Sequence, residues 1–485
     1  MIALGGRPDS TALVWAGGTT TYAELGAMAR GAAARLDQLG VGRRERVAVW
    51  SPKTPETVAL VLGCLLSGRP VLLPPPDLKP EVLSELLDHA QVDRLVDPAA
   101  DGDADAPVFE ADPEDTALLL TTSGSTGTPK VVPLTHGAVG RFALWAGECF
   151  GIGPGTRVLS YCGLNFDLSL LEVWTTLVRG GCAVLVAQER STHGDHLLDL
   201  VRTHEIELVQ GVPTLYGLLL DAAGSGVALP SVRHAILTGD AVPAPTLERL
   251  PGLLPNARLY NVYGCTETND SFVHEIDVER ARELGAVPLG EPLPGVDAVV
   301  TRDGRVLEGP AVGELWVSTP FQTSGYLGPR ARAGEFVPDP RGGERTYFRS
   351  GDVVRREADG SMFLEGRTDL QVKVRGNRVN LQAVEQVLLE DPDVTEAAVV
   401  ALEDELAGKR LHAVVRRRNG TSLSTLRLRS HCARRLTRVA IPSTIKVQEE
   451  PLPKTTTGKV DRGAVKRCAK AGTHGDDRQG HAVHR

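Results

Sequence analysis

Thirteen residues between Thr121 and Pro133, TTSGSTGTPKVVP, hold six Ser/Thr, two Gly, two Pro and one Lys, and an apolar LLL leads into them. Such a stretch is a turn or loop. Its glycines let backbone N–H groups converge, its hydroxyls add donors and Lys130 adds positive charge, so it can cradle an anion such as phosphate. A solvated connector has the same composition, and these residues alone leave both readings open. The spacing is not GxxxxGK[ST], so a P-loop NTPase is not supported. GIGPGT, at 151–156, lacks GxGxxG spacing and a strand directly before it. In NFDLSLLEVW, Asp167 is either a buried acid in need of a cationic partner or, with Ser169, a cap for the turn that follows. Asp352 in FRSGD reads by itself as a turn residue.

Composition sets the class. The 485 residues are 42% hydrophobic and 24% charged, as in an ordinary soluble globular protein. The N-terminus has no basic n-region or sustained apolar run, so no signal peptide is expected. The longest apolar run, VALVLGCLLSG, is too short and interrupted to span a membrane. Seven scattered cysteines with no CxxC spacing fit reduced thiols in a cytoplasmic protein, without a disulfide framework or zinc site. The net charge of −8 is uneven: residues 409–470 hold 17 Lys/Arg against 3 Asp/Glu, leaving −22 on the remainder. That asymmetry suggests an anionic partner or a basic solvated face. No Phe, Tyr or Trp lies in the basic stretch, which argues against nucleic acid.

These residues need elements to position them. The runs RVAVW, RPVLLP, DTALLLTT, CAVLVA, ELVQGV and HAILTGD read as strands. ELGAMARGAAARLDQLG and LKPEVLSELLDHA read as helices. The alternation implies αβ units around largely parallel sheets, with ligands at the carboxyl ends of the strands. From about residue 286, Gly/Pro-punctuated short strands predict a small β-rich unit, and after GRTDLQVKVRG a compact βαβ-like segment is expected. No internal repeat is present.

Taken in order, TTSGSTGTPK, NFDLSLLEVW, NVYGCTET, FRSGD, GRTDLQVKVRGNRVNL and TTTGKVDR resemble the adenylate-forming superfamily, specifically the amino-acid adenylation domains of nonribosomal peptide synthesis. TYAEL, LLSGRPVLLPPP, GELWVSTPFQTSGYL and IP at 441–442 stand where further core motifs of that family stand. The resemblance covers about residues 10 to 467. It implies an α/β fold: a large N-terminal domain of two αβ-layered sheets plus a small β-barrel-like unit (1–368), a small mobile α+β C-terminal lid (369–470) and a disordered tail (471–485).

The resemblance also implies roles. The family activates a carboxylate with ATP and Mg²⁺, forming an acyl-adenylate and pyrophosphate, then passes the acyl group to a phosphopantetheine thiol. Thr122, Ser123, Gly124, Ser125, Thr126, Gly127 and Lys130 would hold the β- and γ-phosphates, in a loop suited to act as a lid. Tyr263 would stack on adenine beside Asn261, with Gly239 and Thr266 as further nucleotide contacts. Asp352 would accept from the ribose hydroxyls, with Arg367 nearby. Glu267 would hold Mg²⁺, a hard cation that prefers carboxylate oxygens. Lys459 would be the main catalytic cation, bridging carboxylate and phosphate. Asp167 would pair with an α-ammonium, which makes the substrate an amino acid. Leu168, Leu171, Gln210, Ile236, Thr238, Val262, Asp270 and Ser271 would line the side-chain pocket. Asp270 would either attract a basic or hydroxyl-bearing side chain or face outward.

For the second half-reaction, the resemblance puts a hinge at Asp369 and brings the loop of Lys373 and Gly376 to the site. The chain ends within 30 residues of Lys459 without a phosphopantetheine-attachment motif. A carrier protein acting in trans is therefore expected as acceptor, docked by the basic segment; neither nucleic acid nor membrane is expected as a partner. Alternatives are an acyl- or aryl-CoA ligase, transfer to the amine of an aminoacyl-carrier, and a non-catalytic interaction protein. The chain departs from the family pattern at Val131 (usually Gly), Cys265 (Pro in YGPTE), Asn380 (Glu in RIELGEIE) and Ser350 (Thr in TGD). None of these removes a chemically essential group.

Overall fold

The computed structural model describes residues 4–476 except 77, 99–108, 110, 123–128, 225, 329–333, 369, 405–407, 419–420 and 455–459. The chain divides into two compact units. The first holds most of the chain up to Thr368 and contains three sheets. Its fold is mixed α/β, and its antiparallel sheet is a curled half-barrel.

Every strand-like run named above forms a strand. Val47–Val49, Val71–Leu72 and Thr116–Thr122 run parallel within one sheet, which Lys130–Thr135 closes as an antiparallel partner. Arg157–Ser160, Cys182–Leu185, Leu208–Gly211, His234–Thr238 and Arg258–Cys265 form the parallel body of a second sheet, of nine strands among the described residues. A single apolar cluster packs side chains from both sheets, including Leu13, Val47, Leu118 and Val158, around the helices Tyr22–Gln38, Pro55–Leu66 and His136–Cys149. A second cluster, with Leu219 and Leu250 from the helices Pro213–Ala223 and Ala244–Leu253, covers the other face of the larger sheet.

Local chemistry explains the helix starts. In TYAEL, Thr21 accepts the N–H of Glu24 while Glu24 accepts the N–H of Thr21, a reciprocal capping box. Thr54 caps the next helix, with Pro55 at its first position. The two helices meet where Gly63 leaves room: a Cβ there would sit 2.6 Å from the carbonyl oxygen of Ala29.

The third sheet is antiparallel, built from short strands that include Asp297–Arg302, Ala311–Ser318, Thr346–Arg356 and Met362–Arg367. This is the β-rich unit read from residue 286 onward.

The second unit is built mainly from Asp369–Arg485 and corrects one expectation. The strand Asn377–Asn380, ahead of the helix Leu381–Leu389, pairs with Gln371–Val374 in a two-stranded sheet of its own. Val394–Asp404 and Gly408–Arg417 pair with each other antiparallel, so the segment is a helix followed by a hairpin rather than a βαβ crossover. The parallel pairing comes later, between Gly408–Arg417 and Thr444–Gln448, after the helix Thr425–Ala433. A hairpin satisfies neighbouring strands with a short connection, which periodicity does not distinguish from a crossover. The helix Arg462–Asp476 runs through the first residues of the segment expected to be disordered; 477–485 lie outside the described residues.

Candidate active site

One group of site residues forms where the half-barrel sheet and the larger sheet each supply a strand. Asp352 and Arg367 are register partners on adjacent strands, and Arg367 Nη1 donates to Asp352 Oδ1 at 2.5 Å. Tyr263, from Arg258–Cys265, donates its hydroxyl to Asp352 Oδ2 at 2.5 Å. Ser350 Oγ accepts the N–H of Asp352 at 3.0 Å, and Arg367 Nη2 also holds the Ser350 carbonyl. Asp352 is 4% exposed, so a buried carboxylate is oriented from both sides. Burial, followed by the charge of Asp352, holds the Tyr263 hydroxyl protonated well past its usual range, which keeps it a donor. Asn261 lies on the same strand as Tyr263 and donates to the carbonyl of Pro288 at 2.7 Å. Gly239 follows the strand His234–Thr238 with φ of +81°, a conformation suited to glycine.

A second group surrounds Glu267, which is fully buried. Its Oε1 accepts the hydroxyl of Tyr326 at 2.7 Å, and its carbonyl accepts the N–H of Thr323 at 2.9 Å. Lys130 donates to the same Tyr326 oxygen at 3.3 Å and to Glu335 Oε1 at 2.9 Å, with its ammonium 4.3 Å from the Tyr326 ring centre. Thr122 and Lys130 are register partners, so the Ser/Thr/Gly stretch leaves one strand and enters the other at that pair. Ser123, Gly124, Ser125, Thr126 and Gly127 lie outside the described residues. Tyr326 and Glu335 escaped the sequence reading: Tyr326 stands inside the quoted GELWVSTPFQTSGYL, while nothing in the local pattern marks Glu335.

Asp167 belongs to a third group. Its Oδ2 accepts the hydroxyl of Thr266 at 2.7 Å. Ser169 gives no side-chain cap to the helical turn after it; its hydroxyl donates to the Leu164 carbonyl at 3.1 Å. That turn, Leu170–Thr175, is π-helical, a geometry frequent at functional sites. Within it Glu172 is fully buried and accepts the N–H of Cys162 through Oε2 at 3.0 Å. Lys53, 3% exposed, donates to the Ser160 carbonyl at 2.8 Å. Burial pushes the Glu172 carboxyl up to about 7 and the Lys53 ammonium down to about 8, each offset in part by the other's charge. These two charges brace the segment that leads to Asp167, and sequence reasoning missed both.

Leu171, Gln210, Ile236, Thr238 and Val262 are all buried. Leu168 offers its carbonyl to Gln210 Nε2 at 3.0 Å. Ser271 is fully buried, its hydroxyl shared between Thr268 Oγ1 and the Asn269 carbonyl, both at 3.3 Å. A surface recess of about 400 Å³ beside Leu220 and Arg249 shares no residue with these groups.

In the second unit, Lys373 sits on Gln371–Val374 opposite Arg378. Arg375 and Gly376, with φ of +50° and +76°, make the tight turn of that hairpin. Asn380, the departure from the family's Glu, caps the helix Leu381–Leu389 by accepting the N–H of Ala383 at 3.1 Å. Lys459 and Asp369 lie outside the described residues. The chain on either side of 455–459 is pinned by a bridge between Lys454 and Val460, and Arg462 grips the buried Glu385 with two bonds of 3.0 and 2.5 Å.

The family model described as AMP-binding enzyme matches residues 3–111 and 97–327, and that of the AMP-binding enzyme C-terminal domain matches 383–459. An L-proline–[L-prolyl-carrier protein] ligase of Pseudomonas fluorescens is 30% identical over 96% of this chain and 98% of its own. One of the same name from Streptomyces coelicolor is 33% identical, covering 91% and 90%. Among solved structures, IdnL1 superposes with a TM-score of 0.79 at 27% identity, covering 92% of this chain and 96% of that one. PA1221, a protein containing adenylation and PCP domains, gives a TM-score of 0.81 at 25% identity, covering 95% and 82%.

Proposed function

The chain belongs to the AMP-binding enzyme family, and we propose that it activates an amino acid with ATP and loads the aminoacyl group onto a carrier protein. Asp167 is the observation that carries the amino-acid assignment. Its half-buried carboxylate accepts the hydroxyl of Thr266, and a substrate ammonium is the oppositely charged group it would suit. The relatives that load proline onto carriers support the class of reaction.

In the first step a substrate carboxylate oxygen attacks the α-phosphorus, the bond to the β-phosphate breaks and pyrophosphate leaves. Two anions must meet, so the protein's work is positioning and charge stabilisation. Asp352, held by Tyr263 and Arg367, orients the ribose. Lys130, with Thr122 and the hydroxyls of the adjoining loop, holds the departing phosphates, which requires the ammonium to exchange Glu335 for phosphate oxygens. Lys459 supplies the bridging cation. Glu267 would hold Mg²⁺ through a carboxylate oxygen, the kind of ligand this hard cation prefers. Mg²⁺ neutralises phosphate charge when bound. In the second step a carrier thiol attacks the acyl carbon, the mixed anhydride breaks and AMP leaves; Lys373 and a hinge at Asp369 serve this step.

The test is ATP–pyrophosphate exchange across amino acids and simple organic acids, followed by mass analysis of a carrier protein bearing its phosphopantetheine arm. Amino-acid-dependent exchange that Asp167→Ala reduces at least about a hundredfold is expected from loss of a charged anchor. Exchange supported solely by organic acids, or an Asp167→Ala enzyme with full activity, would overturn the assignment.

A further inference from the structure

The cation at the end of the Ser/Thr/Gly stretch is paired with an acid that is itself weakly held. Lys130 is 8% exposed, and Glu335 is its one ion-pair partner among the described residues, at 2.9 Å. A buried ammonium requires a counter-charge, and here Glu335 supplies it. The two residues stand 205 positions apart in the chain, so the fold alone makes the pair. Tyr326, itself buried, completes the setting. Its hydroxyl accepts from Lys130 at 3.3 Å, and its ring centre lies 4.3 Å from the ammonium. Both contacts are to an uncharged group, so they hold the lysine without neutralising it.

Glu335 differs from the fully bonded carboxylates of this protein. Asp352 has both oxygens taken, and Glu385 receives two bonds from Arg462 besides the N–H of Val399. Glu335 bonds Lys130 through Oε1, while its Oε2 is buried with no hydrogen-bond partner among the described residues. An unbonded buried oxygen raises the energy of this arrangement. The Glu335 side chain is also 30% exposed, against 7% for that of Lys130, so an outward swing returns its carboxylate to water. The backbone need not move. The Glu335 carbonyl accepts the N–H of Arg349 at 2.7 Å, and the strand Phe336–Pro338, which begins at the next residue, pairs with Thr346–Arg356. Lysine is the fixed member of the pair and glutamate the displaceable one.

Resting on the reading of Lys130 as a phosphate-holding cation, we propose that Glu335 is a resident competitor for the Lys130 ammonium that sets the affinity for ATP and for pyrophosphate. A triphosphate arriving at Lys130 must displace Glu335, and the free energy of the ion pair is subtracted from that of binding. Once pyrophosphate has formed, Glu335 retakes the ammonium, which favours departure of the product. The exchange is anion for anion, so Lys130 is paired before and after it. Tyr326, whose hydroxyl is donated to Glu267 Oε1 at 2.7 Å, keeps the ammonium in place meanwhile. Removing the charge of Glu335 while keeping its shape would leave Lys130 without a counter-charge until phosphate arrives, so ATP and pyrophosphate would both bind more tightly.

Pyrophosphate-exchange kinetics test this. Glu335→Gln should lower the KM for ATP and the KM for pyrophosphate together, by about five- to fiftyfold, between the worth of an exposed ion pair and that of a buried one. The KM for the amino acid should not follow. A merely structural role for Glu335 would weaken nucleotide binding rather than tighten it. Glu335→Asp keeps the charge but draws it back by one methylene; it should shift both constants the same way by less, and it carries the test if Glu335→Gln melts well below the parent. Lys130→Gln should raise both KM values, and adding Glu335→Gln to it should change them no further. Calorimetric titration with ATP alone reads the same shifts as Kd without turnover, so failure of the amino-acid assignment leaves this test intact. ATP affinity that falls in Lys130→Gln but is unchanged or lower in folded Glu335→Gln overturns the proposal and leaves Lys130 at the phosphates, as does a Glu335→Gln effect that persists without Lys130. Unchanged ATP affinity in Lys130→Gln overturns both.

Discussion

Asp352 is the residue where the most interactions converge in the site. Its two oxygens are taken by Tyr263 and Arg367, and its backbone N–H by Ser350. In the proposed role, a nucleotide's ribose would meet a carboxylate whose orientation is set in advance, at little further entropic cost. Replacing it with alanine removes the acceptor and strands Arg367, so Asp352→Ala should raise the KM for ATP by about ten- to a hundredfold, the worth of one or two charge-assisted hydrogen bonds. Exchange kinetics at saturating amino acid would show this; an unchanged KM would remove Asp352 from the nucleotide site. FRSGD by itself marked Asp352 only as a turn residue, and its ribose role came from the resemblance. That Tyr263 would use its hydroxyl on this acid was not legible, because the contact joins residues 89 positions apart.

At the scale of elements, the π-helical turn Leu170–Thr175 and its buried charges decide how Asp167 is presented. Thr175 and Thr176 donate their hydroxyls to the carbonyls of Leu170 and Leu171, at 2.8 and 3.1 Å, which occupies carbonyls within the widened turn. Glu172 stands on this turn with its carboxyl pushed from 4.5 up to about 7 by burial. Because the folded protein favours its neutral form, stability is greatest below the ordinary value and is lost as pH rises through about 7. Glu172→Gln lacks that titration. Its unfolding free energy should gain on the parent's as pH rises from 5 to 8, by on the order of 1–3 kcal/mol, read from denaturant melts at each pH. A gap between the two that stays constant with pH would show that Glu172 does not ionise in this range. Helix starts such as Thr21 with Glu24 were readable locally, since capping needs just a few adjacent residues. The π-turn was not: it is a break in periodicity that sequence patterns average away.

For the whole molecule, charge is the property that reaches furthest. The basic stretch 409–470 stands against a strongly acidic remainder, and in the second unit several of its arginines are already engaged: Arg427 with Asp391 and Asp393, Arg462 with Glu385. The net positive charge of this stretch suits the proposed docking of an acidic carrier. Raising salt from about 50 to 500 mM should slow carrier loading severalfold through screening, while pyrophosphate exchange with the free amino acid changes little; equal sensitivity of the two rates would argue against electrostatic docking. No helix of the described residues is long and apolar enough to cross a membrane. Sequence alone determined the α/β class, most of the strands of the parallel sheets, and which motif residues carry charge or hydroxyls, because periodicity, caps and charged side chains are local properties. Tertiary structure decided which of them meet: Lys130 with Glu335 and Tyr326, and Asp352 with Tyr263 and Arg367. Those outcomes depend on strand register and burial, where one residue of slip turns a side chain to the opposite face.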